Sequence, residues 1–248
     1  MKALKFEIWG EFAHFRKPYT TSSPLTFPFP TRPALAGIIS AIIGLPKNND
    51  TCQNEQSYIG ICLKNSVKKM RLGINLSLAP GVSAMKTGYY DVQKQSNRMP
   101  QIRYEYLKDP YYIVYFSHED ETIYNKLKEH LQNHTSVYTP YLGISEHIAD
   151  FKFISELNLQ EKQADSAVYI HSVINKKYVK PNSIELDYED SEYFNVRMPN
   201  RLDKERIAQE YCEALFEKNC KAIKAEPVKY WSYENEPQSE RNILFLRL

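Results

Sequence analysis

Thr31-Arg32-Pro33-Ala34-Leu35-Ala36-Gly37-Ile38-Ile39-Ser40-Ala41-Ile42-Ile43-Gly44-Leu45-Pro46 reads as one buried helix, and the rest of the chain must be built around it. Thr31 is an N-cap type, and Pro33 stands just inside the helix, where its missing N–H costs nothing. Gly44 can end the helix in a left-handed conformation, with Pro46 beyond it. Ala34, Leu35, Ile38, Ile39, Ala41, Ile42 and Ile43 are apolar almost all round the axis, so the helix has to cover a sheet.

Immediately upstream lies Gly10 to Pro30, basic and rich in hydroxyls, with four prolines between Pro18 and Pro30. That density excludes helix and inner strand and predicts ordered extended chain. Before it, Ala3 to Trp9 alternates as a strand, with Leu4, Phe6 and Ile8 on one face and Lys5 and Glu7 on the other.

Downstream, Tyr58 to Val67 and Met70 to Leu78 read as strands, the second alternating through Leu72, Ile74, Leu76 and Leu78. Ala79-Pro80-Gly81 breaks it. The stretch to Pro100 lacks core periodicity, which fits either a disordered loop or a protruding hairpin. Strand character resumes at Ile102 to Leu107 and Tyr111 to Phe116. Glu119 to Gln132 is an amphipathic helix on Ile123, Leu127 and Leu131, and Phe151 to Leu157 is a further strand. The succession β-α-β-β-α-β is that of a ferredoxin-like unit, so the expected class is α+β, with this unit over residues 1–160 and an insertion near 79–101. From 161 to 248 the reading is a smaller β-rich part, with strands at Ala167 to Ile174, Tyr193 to Met198, Val228 to Tyr233 and Ile243 to Leu248. Ile207 to Phe216 suits a helix by its spacing and a hairpin by the turn Glu217-Lys218-Asn219; the hairpin is preferred.

The 248 residues are 42% hydrophobic and 25% charged, which excludes a disordered or collagen-like chain. The longest apolar run, Ala34 to Leu45, is interrupted by Gly37, Ser40 and Gly44 and falls short of the ~20 residues of a membrane span. Met1 to Glu7 has no signal-peptide pattern, and Cys52, Cys62, Cys212 and Cys220 match neither a zinc ribbon nor a redox pair, so reduced thiols in the cytoplasm are expected. A net charge of +2 hides a partition. Residues 1–110 carry 15 Lys and Arg against 7 Asp and Glu, whereas 111–248 carry 17 against 23. The basic half suggests a polyanion partner, and scattered solvated charge is the plainer alternative.

No phosphate-binding glycine motif, nucleophile elbow or zinc-protease motif is present, and no cofactor is expected. His130 and His134 are four apart, as in a metal pair, but histidines in a last helical turn are accounted for by the helix dipole, and no third ligand is evident. The loop carrying His14, Arg16, Lys17, Tyr19, Thr20, Thr21, Ser22 and Ser23 offers charge for phosphates, hydroxyls for sugar and phosphate oxygens, and rings for stacking. Single-stranded RNA is the ligand that uses all three.

The run Phe12-Ala13-His14-Phe15-Arg16-Lys17-Pro18-Tyr19-Thr20-Thr21-Ser22-Ser23, followed by Phe27-Pro28-Phe29-Pro30-Thr31-Arg32-Pro33-Ala34-Leu35-Ala36-Gly37-Ile38-Ile39 and Gly44-Leu45, resembles the N-terminal signature of the CRISPR-associated protein 5 family. Tyr141-Leu142-Gly143-Ile144-Ser145-Glu146, Ala149-Asp150 and Arg197-Met198-Pro199 are weaker echoes. The resemblance implies a RAMP-superfamily protein with a ferredoxin-like or RRM-like domain, a projecting thumb hairpin and a smaller β-rich C-terminal part. It is closest to type I-B. It further implies a cytoplasmic subunit of a type I Cascade that caps the 5′ handle of the crRNA beside the backbone and large subunits, meeting target DNA only through the complex and no membrane. On that reading the loop from His14 to Ser23 and Arg32 lie against the handle. Met85, Lys86, Tyr89, Tyr90, Arg98 and Met99 belong to the thumb and touch RNA and the neighbouring subunit, although plain packing also accounts for the two tyrosines. The type I-C branch of the family instead cuts the repeat with a tyrosine, a lysine and a histidine. His14, Lys17 and Tyr19 could in principle supply those types, but a binding subunit without catalysis is favoured.

Overall fold

The structure is a computed structural model that describes residues 1–20, 22–47, 49–75, 101–187, 191–234 and 241–247. It is mostly β-sheet with few helices. Four strands form the central antiparallel sheet: β1 (Lys2–Trp9), β3 (Ser57–Leu63), β6 (Tyr111–His118) and β7 (Asp150–Asn158), in the order β3-β6-β1-β7. The register places Leu4 opposite Phe116 and Ile8 opposite Tyr112, with a bulge against β7 between Lys5 and Phe6.

Two helices cover one face of this sheet. The first, α1 (Arg32–Ile43), has the expected ends: the Thr31 hydroxyl accepts the Ala34 N–H at 3.3 Å, and Gly44 adopts φ 74°. Its last carbonyls are taken up from outside, since the Val137 and Tyr138 N–H groups donate to Ile42 and Ala41. The second, α2 (Glu121–Gln132), starts later than the Glu119 expected, because the Asp120 carboxylate caps it by accepting the Thr122 N–H at 2.8 Å. Leu4, Phe6 and Ile8 pack with Leu35, Ile39 and Ile42 of α1 and Leu127 and Leu131 of α2 in one core.

The other sheet face is also closed. Trp231, Tyr233, Ile243 and Phe245 pack there on Ala3, Cys62 and Tyr115. Lys5 and Glu7, which alternate onto this face, are therefore buried: the Lys5 ammonium reaches the Tyr233 hydroxyl at 3.4 Å, and Glu7 pairs with Lys64. Burial works against the Glu7 carboxylate, but hydrogen bonds from Lys64 and Tyr111 outweigh it and hold its pKa below the ordinary value.

A second layer is built from β2 (Phe12–Ala13), β4 (Lys68–Asn75) and β5 (Gln101–Lys108), ordered β2-β5-β4. The β4–β5 ladder runs to Asn75 opposite Gln101, at the edge of the described residues. The expected thumb at 79–101, with Met85, Lys86, Tyr89, Tyr90, Arg98 and Met99, lies outside the described residues but for Gln101.

The C-terminal segment is made of short strands: β8 (Gln160–Lys162), β9 (Val168–Ile170), β10 (Ile174–Asn175), β11 (Tyr193–Leu202), β12 (Ala208–Glu217), β13 (Ile223–Ala225), β14 (Tyr230–Ser232) and β15 (Asn242–Ile243). From Ala208 onward the stretch Ile207 to Phe216 is strand rather than helix, but the hairpin closes at its other end. The partner is β11, and the turn is 203–207, where the Asp203 carboxylate accepts the Ile207 N–H at 2.7 Å and Arg206 takes φ 64°. Met198, Cys212, Ala214 and Phe216 enter the same core as α1. No helix is long and apolar enough to cross a membrane, among the described residues.

Candidate nucleic-acid interface

The segment from Ala13 to Pro30 folds back on itself. The Phe15 N–H donates to the Thr26 hydroxyl at 2.9 Å, the Phe27 N–H to the Phe15 carbonyl at 2.8 Å, and the Lys17 N–H to the Leu25 carbonyl at 2.9 Å. Its second half is an anchor, with Phe27, Pro28, Phe29 and Pro30 all buried. The tip is what remains outside. Thr20 fastens it, donating its hydroxyl to the Lys17 carbonyl at 2.8 Å and accepting the Leu25 N–H at 3.2 Å.

The residues named from sequence separate by depth. Arg16, Tyr19, Ser22 and Ser23 are exposed, Lys17 and Thr20 are half-buried, and Thr21 lies outside the described residues. The Arg16 guanidinium spends one donor on the Thr20 carbonyl at 3.3 Å, and its other donors meet no acceptor among the described residues. Lys17 stands with its ammonium 5.7 Å from the centre of the Phe27 ring.

His14 and Arg32, expected against RNA, are instead placed inside the protein. Each is within 1% of full burial. The Arg32 guanidinium donates to four carbonyls: Gln53 at 2.7 Å, Asn54 at 2.9 Å, Ser57 at 2.7 Å and Asn200 at 3.4 Å. Burial lowers its pKa to about 10, so it stays charged at neutral pH. Its Nη1 and Nη2 groups tie the N-terminus of α1 to β11 and to the chain entering β3, while its buried Nε–H has no hydrogen-bond partner among the described residues. His14 Nδ1 donates to the Glu105 carbonyl at 2.7 Å, and its ring lies among Tyr104 and Tyr106 at 5.4 and 5.7 Å. Because a carbonyl only accepts, Nδ1 holds the proton of the neutral ring, and burial pushes the pKa down in favour of that form. No hydrogen bond, ion pair or ring contact joins His14, Lys17 and Tyr19 among the described residues.

Beside the tip opens a cleft of about 450 Å³, lined by Arg16, by Thr31, Gly37 and Ala41 along α1, by Tyr141 and Gly143, and by Arg206 of the β11–β12 turn. Gly37 leaves the α1 wall bare, since a Cβ there would meet nothing within 4 Å. Gly143 is required: at φ 95° its Cβ would stand 2.0 Å from the His14 carbonyl oxygen, where the 141–148 loop crosses the chain. The His14 N–H donates to the Leu142 carbonyl at this crossing, at 3.0 Å.

Arg206 escaped sequence reading because it is one charge in a polar turn. The strands β4 and β5 were expected, but the charged face they form together was not. That face carries Lys69, Arg71 and Arg103 about the buried Glu105, whose carboxylate takes Lys69 at 2.9 Å and Arg71 at 3.5 Å. Strict alternation of charge at 69, 71, 103 and 105 was the available signal. His130 and His134 do not converge: the first meets the Thr135 hydroxyl at 3.0 Å and the second the Asp150 carboxylate at 3.3 Å.

A family model described as CRISPR-associated protein (Cas_Cas5) matches residues 3–211. No curated protein sequence matches the chain. Among solved structures, a chain of a "CRISPR RNA-guided surveillance complex" is similar at TM-score 0.51 and 11% identity, over 90% of this chain and 91% of that one. A CRISPR protein from Archaeoglobus fulgidus is similar at TM-score 0.54 and 13% identity, over 98% of each chain. At such identities the likeness is one of fold.

Proposed function

We propose, from the premise that this chain belongs to the Cas_Cas5 family of CRISPR-associated proteins, that it is the crRNA-binding subunit of a type I-B Cascade and caps the 5′ handle of the guide. The observation that carries this reading is the tip, with Arg16, Ser22 and Ser23 exposed and Lys17 half-buried, beside a cleft that also takes Arg16 and Arg206. Mobile-ion release from phosphates favours such cations, and the hydroxyls suit ribose and phosphate oxygens. The order β3-β6-β1-β7 with α1 and α2 on one face supports a ferredoxin-like RAMP domain. The two-stranded arms β4 and β5 support a thumb set on their far end. Its partners on this reading are the backbone and large subunits of the complex in the cytoplasm, and target DNA is met only through them.

Replacing Arg16 and Lys17 together by Ala is expected to weaken handle-RNA binding and to reduce the slope of log K against log salt by about 0.7 per lost phosphate contact. Titration at several salt concentrations checks this. A folded double variant with the wild-type slope would remove the phosphate role.

The protein binds without cutting, on the same reading. A metal-independent repeat nuclease needs an accessible acid–base pair at the 2′-OH, and His14 is enclosed with its Nδ1 proton committed to Glu105. Repeat RNA incubated with the purified chain in EDTA is expected to stay intact. Cleavage at the handle boundary that disappears in His14→Ala would make the protein the endoribonuclease instead.

A further inference from the structure

The core-facing row of β11 runs Met198, Val196, Phe194, and its burial fades along that row. Met198 is fully enclosed, Val196 is half-buried, and Phe194 is 46% exposed. Phe194 pairs across the ladder with Phe216, the two rings 5.7 Å apart and inclined by only 23°. Phe216 is held in turn by Phe29, edge-on at 5.2 Å. One side of the Phe194 ring is thus backed by a fixed aromatic stack, and the residue opens into a groove of about 390 Å³.

The rim of that groove carries Lys17, Lys69 and Lys218, and no carboxylate lines it among the described residues. Lys69 and Lys218 are each steadied by a carboxylate outside the groove, Glu105 at 2.9 Å and Glu192 at 2.8 Å. Lys17 has no carboxylate within salt-bridge range among the described residues, and it also belongs to the exposed tip at Arg16. A strand of RNA held at the tip therefore meets this groove next. A purely apolar plug from a protein would gain nothing from three ammonium groups, whereas an unpaired base with its own phosphate uses both the ring and the rim.

We infer that Phe194, backed by Phe216, is a stacking platform for one unpaired nucleobase of the bound RNA, with Lys17 facing the phosphate of that nucleotide. This rests on the RNA-binding reading above and adds to it a site on the C-terminal β-hairpin. Stacking of a base on an aromatic ring is sequence-tolerant, so the platform holds the strand without reading its sequence.

The test uses the full chain and a single-stranded RNA carrying the handle sequence, with Phe194→Leu and Phe194→Tyr compared with wild type. Phe194→Leu should melt as cooperatively as wild type, because the side chain is half outside. It should bind RNA roughly 5- to 160-fold more weakly, the loss expected for removing one base–aromatic stack. Its salt slope should be unchanged, since no phosphate contact is lost. Phe194→Tyr, which keeps the ring, should bind like wild type. If wild type binds and Phe194→Leu binds equally well, the platform is wrong and the RNA-binding reading stands. If wild type does not retain RNA, that reading falls and the platform with it. Unchanged RNA binding with lost association of another subunit would give the groove to a protein and overturn the inference.

Discussion

Arg32→Ala is expected to destabilise the fold by on the order of 3–5 kcal/mol, because a buried charged donor serving four buried or part-buried carbonyls is removed and nothing replaces it. For a chain of this size that is a fall in Tm of roughly 6–20 °C. The carbonyls of Gln53, Asn54 and Ser57 come from the chain entering β3, and that of Asn200 from β11. Their loss therefore loosens the junction between the central sheet and the C-terminal hairpin as well as the start of α1. Arg32→Lys should recover only part of the loss, since one ammonium cannot span four acceptors. Denaturant titration measures the effect. If the midpoint is unmoved and the salt slope of RNA binding falls by one contact, Arg32 faces RNA after all.

Gly143→Ala is the second large effect, expected at about 3 kcal/mol. Two penalties combine: φ 95° disfavours any side chain, and the new Cβ would stand 2.0 Å from the His14 carbonyl, a backbone atom that cannot swing aside. The 141–148 loop must lift from the chain at His14, breaking the hydrogen bond to Leu142. Because Gly143 and Tyr141 line the cleft, RNA affinity should drop along with stability. Gly37→Ala on the opposite wall serves as the contrast. Its Cβ meets open space, and in the middle of a helix Ala gains up to about 1 kcal/mol. Equal stabilities for the two variants would refute the crossing geometry.

The elements with strong periodicity or clear ends were readable in the sequence. Thr31, Pro33 and Gly44 bounded α1 because capping is local chemistry, β1 and β4 alternated plainly, and β5 and β6 showed strand character. The C-terminal strands were placed less well, since several are only two or three residues long and are held by distant partners such as Ser172 and Leu244. In the candidate site the exposed half was legible: Arg16, Tyr19, Ser22 and Ser23 are polar or aromatic residues on a loop. The burial of Arg32 and His14 was not legible, because residue type says what a side chain can bond and not who reaches it first. Backbone carbonyls from residues 53, 54, 57, 105 and 200 did. Phe194 gave no signal, since it sits in a strand pattern where an aromatic normally means core.

The position of β1 at the middle of the central sheet sets an order of events during synthesis. Its two neighbours, β6 and β7, begin at Tyr111 and Asp150. At roughly 5–20 residues per second, β1 leaves the ribosome on the order of ten seconds before β7 exists to pair with it. In that interval Leu4, Phe6 and Ile8 are solvent-facing and open to wrong partners. The second face of the sheet waits longer still, for Trp231 and Phe245. Folding of the nascent chain is accordingly late and non-local, and temporary shielding of the first nine residues should raise the yield of native protein more than shielding any later segment.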